Sequence, residues 1–272
     1  MDTPADYPCA ISPFEDGGQR QYLTRLAQTD AVRRYKSTAT SELDVHPGHV
    51  VVDLGCGAGL DLHRYAGLTG PTGAVIGIDY DPQMAALATQ ATQHLPTVNV
   101  EVADIHCLPL NTESADRVHI DRVLQHVTSP AGAVAEAARI LRATGKLVCT
   151  EPDWATLAID HPDADLSVAY TNMMLKHVIP QPTVGRSIPR LLQQAGLTVT
   201  RIEPVTALWT DVVAADGVLG LHVVTERALA AGHLTAAQAS SWIDHLMTAP
   251  FLATMTLFMV SAQYENIDLA IG

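Results

Sequence analysis

Short apolar runs alternate with segments of helical spacing through the first half of the chain. The runs are rich in valine and isoleucine, as buried strands are. They lie at 50–54, 74–79, 98–104, 116–121 and 145–151. Between them, apolar residues recur at i, i+3, i+4 and i+7, as at Met84, Leu87, Ala88 and Ala91. Strands that alternate with amphipathic helices predict a parallel sheet with helices on both faces.

The second half is less regular but still separates into elements. Residues 185–205 predict a helix, a stop at Gly196 and a strand. Residues 212–247 predict mainly helix, and 254–262 predict a final strand. The first 45 residues predict a helical lead-in.

Composition excludes several classes of protein. The 272 residues are 47% hydrophobic and 17% charged, which is typical of a folded chain. A net charge of −13 without any basic stripe argues against nucleic acid as a partner. The four cysteines form no CxxC pair and the N-terminus has no secretion signal, so we expect a cytoplasmic protein.

One uncharged stretch, 246–264, is nominally long enough to span a bilayer. It contains Pro250, threonines, a serine and a glutamine, and no basic residue flanks it closely. We therefore expect a helix end followed by a buried strand, and no membrane span.

Three glycines follow the first predicted strand, in VVVDLGCGAGL at 50–60. Gly55, Gly57 and Gly59 open the next helix, where backbone N–H groups meet a ligand. A dinucleotide-binding loop would need glycine or alanine where Leu60 stands. A nicotinamide oxidoreductase is therefore a disfavoured alternative.

Two aspartates narrow the choice of ligand. Asp53 stands just before the loop, where a carboxylate repels a pyrophosphate and attracts an ammonium group. Asp79 ends the second predicted strand, where an acidic residue accepts hydrogen bonds from ribose hydroxyls. S-adenosylmethionine has both the amine and the ribose that these positions require.

Five segments resemble the motifs of the class I S-adenosylmethionine-dependent methyltransferases, and specifically the branch of the ubiquinone and menaquinone biosynthesis enzymes and many secondary-metabolite enzymes. The segments are VVDLGCGAG, GIDYDPQM, VADIHCLPL, ADRVHIDRVLQHV and AARILRATGKLVCTEPDW. The resemblance covers roughly residues 20 to 205. In the last segment, Ala143-Thr144-Gly145-Lys146 replaces the family's Pro-Gly-Gly turn.

The resemblance implies positions around the cofactor. The glycine loop would wrap the methionine and ribose, and Asp79 would hold the ribose diol. Tyr80 and Met84 would border the adenine, with Asp104 near its amino group and Ile105 offering a backbone N–H.

The resemblance also implies residues near the reacting end of the cofactor. Asp121, Arg122 and Val123 would lie beside the sulfonium. Tyr22 and Lys36 are candidates for contacts to the cofactor carboxylate, with an ordinary solvated helix residue as the alternative for each.

The implied fold is a Rossmann-like, seven-stranded, mostly parallel sheet with helices on both faces, an antiparallel last strand and a helical lid or cap. We expect an N-terminal lid at 1–45, a cofactor-binding core at 46–205, and a cap with the final strand at 206–272. All three would belong to one domain.

His126 and Glu151 are the candidate catalytic residues, because they follow the fourth and fifth predicted strands at the ligand-binding edge of the sheet. Each has an alternative: an ordinary histidine, and a glutamate that binds backbone N–H groups. No set of residues has metal-ligand spacing.

Large apolar residues concentrate after residue 153, including all three tryptophans. Ordinary core explains most of them, but the balance favours a hydrophobic small-molecule substrate, aromatic or isoprenoid. Methyl transfer is the expected reaction, with cyclisation and a non-catalytic homologue as alternatives. The apolar C-terminal segments are compatible with a homo-oligomer.

Overall fold

The computed structural model describes residues 30–265, and side chains from residue 35. Its seven strands form one sheet. They are β1 (Val50–Leu54), β2 (Ala74–Asp79), β3 (Val98–Val102), β4 (Ala115–Asp121), β5 (Leu141–Ile159), β6 (Thr198–Trp209) and β7 (Ala253–Gln263). Six strands are parallel and the last is antiparallel, so the predicted fold class is confirmed.

Helices connect these strands. They are α1 (Asp30–Leu43), α2 (Leu62–Thr69), α3 (Pro82–Thr92), α4 (Pro130–Ile140), α5 (Ala164–Met173), α6 (Val184–Gln194), α7 (Val212–Leu219), α8 (Leu221–Ala230) and α9 (Ala236–Thr248). A short 3₁₀ turn spans Gly70–Thr72, and a π-helical turn spans Met174–Val178. The start of α3 follows its sequence signal, because Asp81 accepts a hydrogen bond from the Gln83 N–H and Pro82 occupies the first turn.

Strand order determines where a ligand crevice forms. The order is β3-β2-β1-β4-β5-β7-β6. The chain runs from β1 outward to β3, then returns to place β4 on the other side of β1. Such a reversal opens a crevice at the carboxyl ends of the two central strands.

The chain divides into two compact units. The core unit comprises Arg34–Pro152, Val184–Val205 and the described residues from Leu257 onward. The helical unit comprises Asp153–Thr183 and Thr206–Thr256, together with the few described residues before Arg34. Residues 153–183, which the sequence assigned to the core, are thus grouped with the later helices.

Apolar side chains cover both faces of the sheet within the core unit. Val52 and Leu54 point to a cluster that includes side chains of α4 and α6. Val51, which precedes Val52 in β1, points to a second cluster built with α1, α2 and α3. The alternation along β1 places helices on both faces, as the sequence pattern predicts.

The segment that replaces the Pro-Gly-Gly turn of the resembled family lies at a register shift between β4 and β5. Ala115 pairs with Leu141, but Arg117 already pairs with Lys146, so residues 142–145 loop out of the ladder. A Cβ added at Gly145 would lie 2.6 Å from Cδ1 of Leu141. The replacement turn therefore still depends on a glycine.

The helical unit packs around aromatic side chains. Trp154, Trp209 and Trp242 are all buried. The Tyr170 ring stacks on Trp242 at 5.3 Å, and its hydroxyl donates to the Leu219 carbonyl at 2.7 Å. The tryptophans therefore serve mainly as core, which is the simpler of the two expectations.

The uncharged stretch at 246–264 contains the end of α9 and the strand β7. This arrangement confirms the predicted helix end and buried strand. Among residues 30–265, no helix has the length and apolar character that a membrane span requires.

Candidate active site

The glycine loop turns sharply after β1. The N–H groups of Gly55 and Cys56 both donate to the carbonyl of Ile78, at 2.7 and 3.0 Å. Gly55, Gly57 and Gly59 have φ values of +75°, +53° and +79°, in the region that favours glycine. The sequence pattern therefore corresponds to a real backbone requirement.

Asp79 lies directly against this loop. Its Oδ2 accepts the Gly57 N–H at 2.7 Å, and its Oδ1 accepts the Asp81 N–H at 2.9 Å. Burial raises the pKa of its carboxyl above the ordinary value. Each oxygen retains acceptor capacity after one hydrogen bond. The half-buried carboxylate thus fits a ribose diol, which needs two acceptors side by side.

Asp53 is engaged elsewhere. Its Oδ1 lies 2.8 Å from Nδ1 of His119, and both side chains are buried. The pair forms because Asp53 and His119 are opposite one another in the parallel β1–β4 register. Burial opposes protonation of His119, but the hydrogen bond to Asp53 raises its pKa above the ordinary value. The role predicted for Asp53, attracting an ammonium group, stays a prediction.

Asp121 ends β4 within a cluster of polar groups. Its Oδ2 lies 2.7 Å from the Lys36 ammonium and accepts the Tyr35 hydroxyl at 3.2 Å. Lys36 also pairs with Asp61. Burial alone would raise the pKa of Asp121, but Lys36 and Arg122 hold it well below its usual range.

Lys36 is therefore not a solvated helix residue. Burial would lower its pKa, yet the carboxylates of Asp121 and Asp61 raise it. Its predicted contact with a cofactor carboxylate stays a prediction. Tyr22, the other candidate for that contact, lies outside the described residues.

Glu151 binds the backbone of the loop that follows β4. Its Oε1 accepts the N–H groups of Val123 and Leu124 at 2.7 and 2.6 Å, and its Oε2 accepts that of Gln125 at 3.3 Å. The side chain is fully buried, which raises the pKa of its carboxyl to about 8 although these hydrogen bonds oppose the shift. Through these contacts Glu151 positions the backbone of residues 123–125.

The same loop approaches the glycines. Arg122 has a φ of +59°, which is uncommon for a residue with a side chain. Val123 lies so close to Gly55 that a Cβ added there would be 2.2 Å from its Cγ2. Gly55, Val123 and Glu151 are therefore mutually constrained.

His126 follows on this loop with an exposed side chain. Partial desolvation by neighbouring protein atoms and the charge of Arg122 lower the pKa of its imidazole to about 4. The ring is therefore neutral at physiological pH and free to accept a proton, although with weak basicity.

Residues assigned to the adenine region lie after β2 and β3. Tyr80 is 78% exposed at the end of β2, and Met84 is buried in α3. Asp104 accepts the N–H of His106 at 2.9 Å, and its Oδ1 lies 2.6 Å from that ring. Ile105, which lies between these two residues in the sequence, has a buried side chain. These contacts lower the pKa of Asp104.

Several of these polar groups could not be predicted from the sequence. Tyr35, Asp61, His119 and the pairing of Lys36 depend on contacts between segments far apart in the chain. His119 lies opposite Asp53 because β4 pairs with β1, and that pairing becomes known only with the strand order.

Comparison with known proteins identifies the family. A family model described as a methyltransferase domain matches residues 45–202, more than half of the chain. The chain belongs to the class I S-adenosylmethionine-dependent methyltransferases. The resemblance found in the sequence motifs is thereby confirmed.

Individual relatives of this methyltransferase are of two kinds. An uncharacterized 37.1 kDa protein in transposon TN4556 of Streptomyces fradiae is 48% identical over 242 residues, which cover 89% of this chain and 70% of that protein. Demethylmenaquinone methyltransferase of Staphylococcus aureus is 29% identical over 137 residues, covering 50% of this chain and 57% of that enzyme. The chain thus spans less than two thirds of the second relative.

A solved structure shares the fold over nearly the whole methyltransferase. The cyclase SpnF matches with a TM-score of 0.56 and 18% identity, covering 94% of this chain and 89% of that one. At this identity the similarity shows the fold alone.

Proposed function

We propose that this methyltransferase uses S-adenosylmethionine to methylate a hydrophobic small molecule. The observation that carries the proposal is the position of Asp79. Its two oxygens hold Gly57 and Asp81 while keeping acceptor capacity for a ribose diol. The glycine loop beside it exposes backbone to a ligand at the crevice between β1 and β4.

S-adenosylmethionine supplies an electrophilic methyl group on a sulfonium. The protein contributes position and exclusion of water, because methyl transfer is an in-line displacement. The backbone of residues 123–125 is fixed for this purpose by the buried carboxyl group of Glu151. His126 remains the candidate to accept a proton from a protonated acceptor, since its imidazole is neutral at physiological pH.

The apolar acceptor is supported by one relative. The name of demethylmenaquinone methyltransferase specifies a quinone substrate, although the shared region covers half of this chain. Cyclisation, with or without methyl transfer, is the second candidate, because the cyclase SpnF has the same fold. The mass of the product reports methyl transfer, which adds a methylene, whereas cyclisation alone leaves the mass of the substrate unchanged.

Calorimetric titration with S-adenosylhomocysteine, NAD⁺ and NADP⁺ tests the cofactor. We expect micromolar binding of S-adenosylhomocysteine alone. Asp79→Asn should weaken it about tenfold to hundredfold, because hydrogen bonds to a charged acceptor are lost. Asp81→Asn is the matched control, since asparagine still caps α3. Binding of a nicotinamide nucleotide, or equal affinities of both variants, would contradict the proposal.

A further inference from the structure

A small cleft in the helical unit lies beside the π-helical turn Met174–Val178. Its volume is about 190 Å³, below the roughly 300–1,000 Å³ of sites that enclose a whole drug-sized ligand. Polar and buried apolar side chains share its lining. The polar residues are Asn172, Lys176, His177 and His233. Turns of this helical type occur often at functional sites.

The two histidines of the cleft are stacked. Their ring centroids are 4.6 Å apart and the planes differ by 27°. Nitrogen lone pairs lie in the plane of an imidazole, so those of nearly parallel rings do not converge on one metal ion. Within residues 30–265, no group of three potential metal ligands occurs. Two stacked imidazoles can instead each donate an N–H to a different oxygen of one anion.

The polar side chains of the cleft lack protein partners. In the part of the chain that the structure describes, none of the four forms a hydrogen bond or ion pair, apart from the contact between the two rings. A lysine, two imidazoles and an amide thus share a cleft whose lining contains no carboxylate, in a chain whose net charge is −13. An anion is the ligand that such a set of donors suits.

We propose that this cleft binds a phosphoryl group, either free phosphate or the phosphorylated end of a small molecule. Lys176, His177, His233 and the Asn172 amide supply donors from several elements. A tetrahedral phosphoryl group has three terminal oxygens to accept them, whereas a carboxylate has two. The site is independent of methyl transfer, and its occupation does not rest on the cofactor.

A simpler explanation, stabilisation of a helix end, applies to only two of the polar residues of the cleft. Lys176 and His177 lie in the last turn of a helical segment, where cations offset the partial negative charge of the helix end. That role involves neither His233 nor the cleft. It predicts a change in thermal stability on substitution, with no change in anion binding.

Calorimetric titration of the full chain with pyrophosphate and inorganic phosphate tests the proposal. The titration is run near pH 6 at constant ionic strength. We expect saturable binding that weakens at least tenfold in the double variant H177Q/H233Q. The matched control is H63Q/H94Q, which alters another exposed pair of rings 5.3 Å apart. Circular dichroism and melting temperature establish that both variants fold.

The outcomes separate the accounts. Binding lost in H177Q/H233Q and kept in H63Q/H94Q supports the phosphoryl site. Absent saturation, equal affinity in both variants, or equally tight binding of acetate would overturn it. Tighter binding of pyrophosphate than of inorganic phosphate would identify the phosphorylated end of a larger molecule as the source, and the reverse order would identify free phosphate.

Discussion

Replacing Gly55 by alanine tests the geometry of the glycine loop most directly. Gly55 has a φ of +75°, and its missing side chain leaves room for Val123. A Cβ there would lie 2.2 Å from Cγ2 and 3.1 Å from Cγ1 of that valine. The substitution therefore imposes a backbone cost and a steric cost, and these are separable.

The expected magnitude follows from the two costs. A non-glycine residue in the left-handed region costs about 1–2 kcal/mol. Overpacking of a dense interior costs about 1–3 kcal/mol. We therefore expect Gly55→Ala to lower the free energy of unfolding by about 2–5 kcal/mol. The double variant G55A/V123A should recover only the steric part, since alanine at 123 removes both methyl groups but leaves the backbone strain.

Urea denaturation of the four members of this mutant cycle supplies the measurement. Gly67→Ala is the control, because Gly67 lies in α2 and a Cβ there meets nothing within 4 Å. That control should gain about 0.5–1 kcal/mol. A Gly55→Ala protein as stable as the wild type would refute the strain argument. A double variant no more stable than the sum of the single changes would refute the contact with Val123.

Two further predictions concern buried charge. Lys36→Met leaves Asp61 without its cation and Asp121 with only the more distant Arg122, so we expect a loss of about 3–5 kcal/mol at neutral pH. The loss should shrink as the pH falls and the carboxylates take up protons. The control is Arg201→Met, which should change the melting temperature little because its ion pairs are at the surface. A loss that does not depend on pH would contradict the ion pairing of Lys36 with these carboxylates. Glu151→Gln should remove a pH dependence of stability. The Glu151 carboxyl group keeps its proton to about pH 8 in the folded wild type, whereas in the unfolded chain it releases the proton near pH 4.5. The free energy of unfolding of the wild type therefore falls across that interval, by up to about 1.4 kcal/mol per pH unit. Urea midpoints measured from pH 4.5 to 8 check this, and parallel curves for variant and wild type would exclude it.

The elements were largely predictable because local signals agreed with tertiary structure. The predicted strands at 50–54 and 74–79 match β1 and β2 to the residue. Gly196 marked a helix stop just after α6, where the structure has it. The lengths of β5 and β6 were not predictable, because no glycine or proline marks the point where each strand ends beyond its buried part.

The site was predictable only where backbone geometry dictates residue type. Glycines at positive φ and an aspartate at a strand end leave a pattern in the sequence. The ion pairs of Lys36 and the pairing of Asp53 with His119 leave none, because they join segments that meet only through folding. Glu151 was recognised by position, but its three N–H partners required coordinates.

The clamp that Glu151 forms on residues 123–125 has an evolutionary consequence. Because the loop is held through its backbone, its shape does not depend on the side chains that it presents outward. The exposed position next to these residues, His126, is then open to variation at little structural cost. A lineage with this scaffold would explore new acceptors by changing those side chains while its hold on the methyl donor persists.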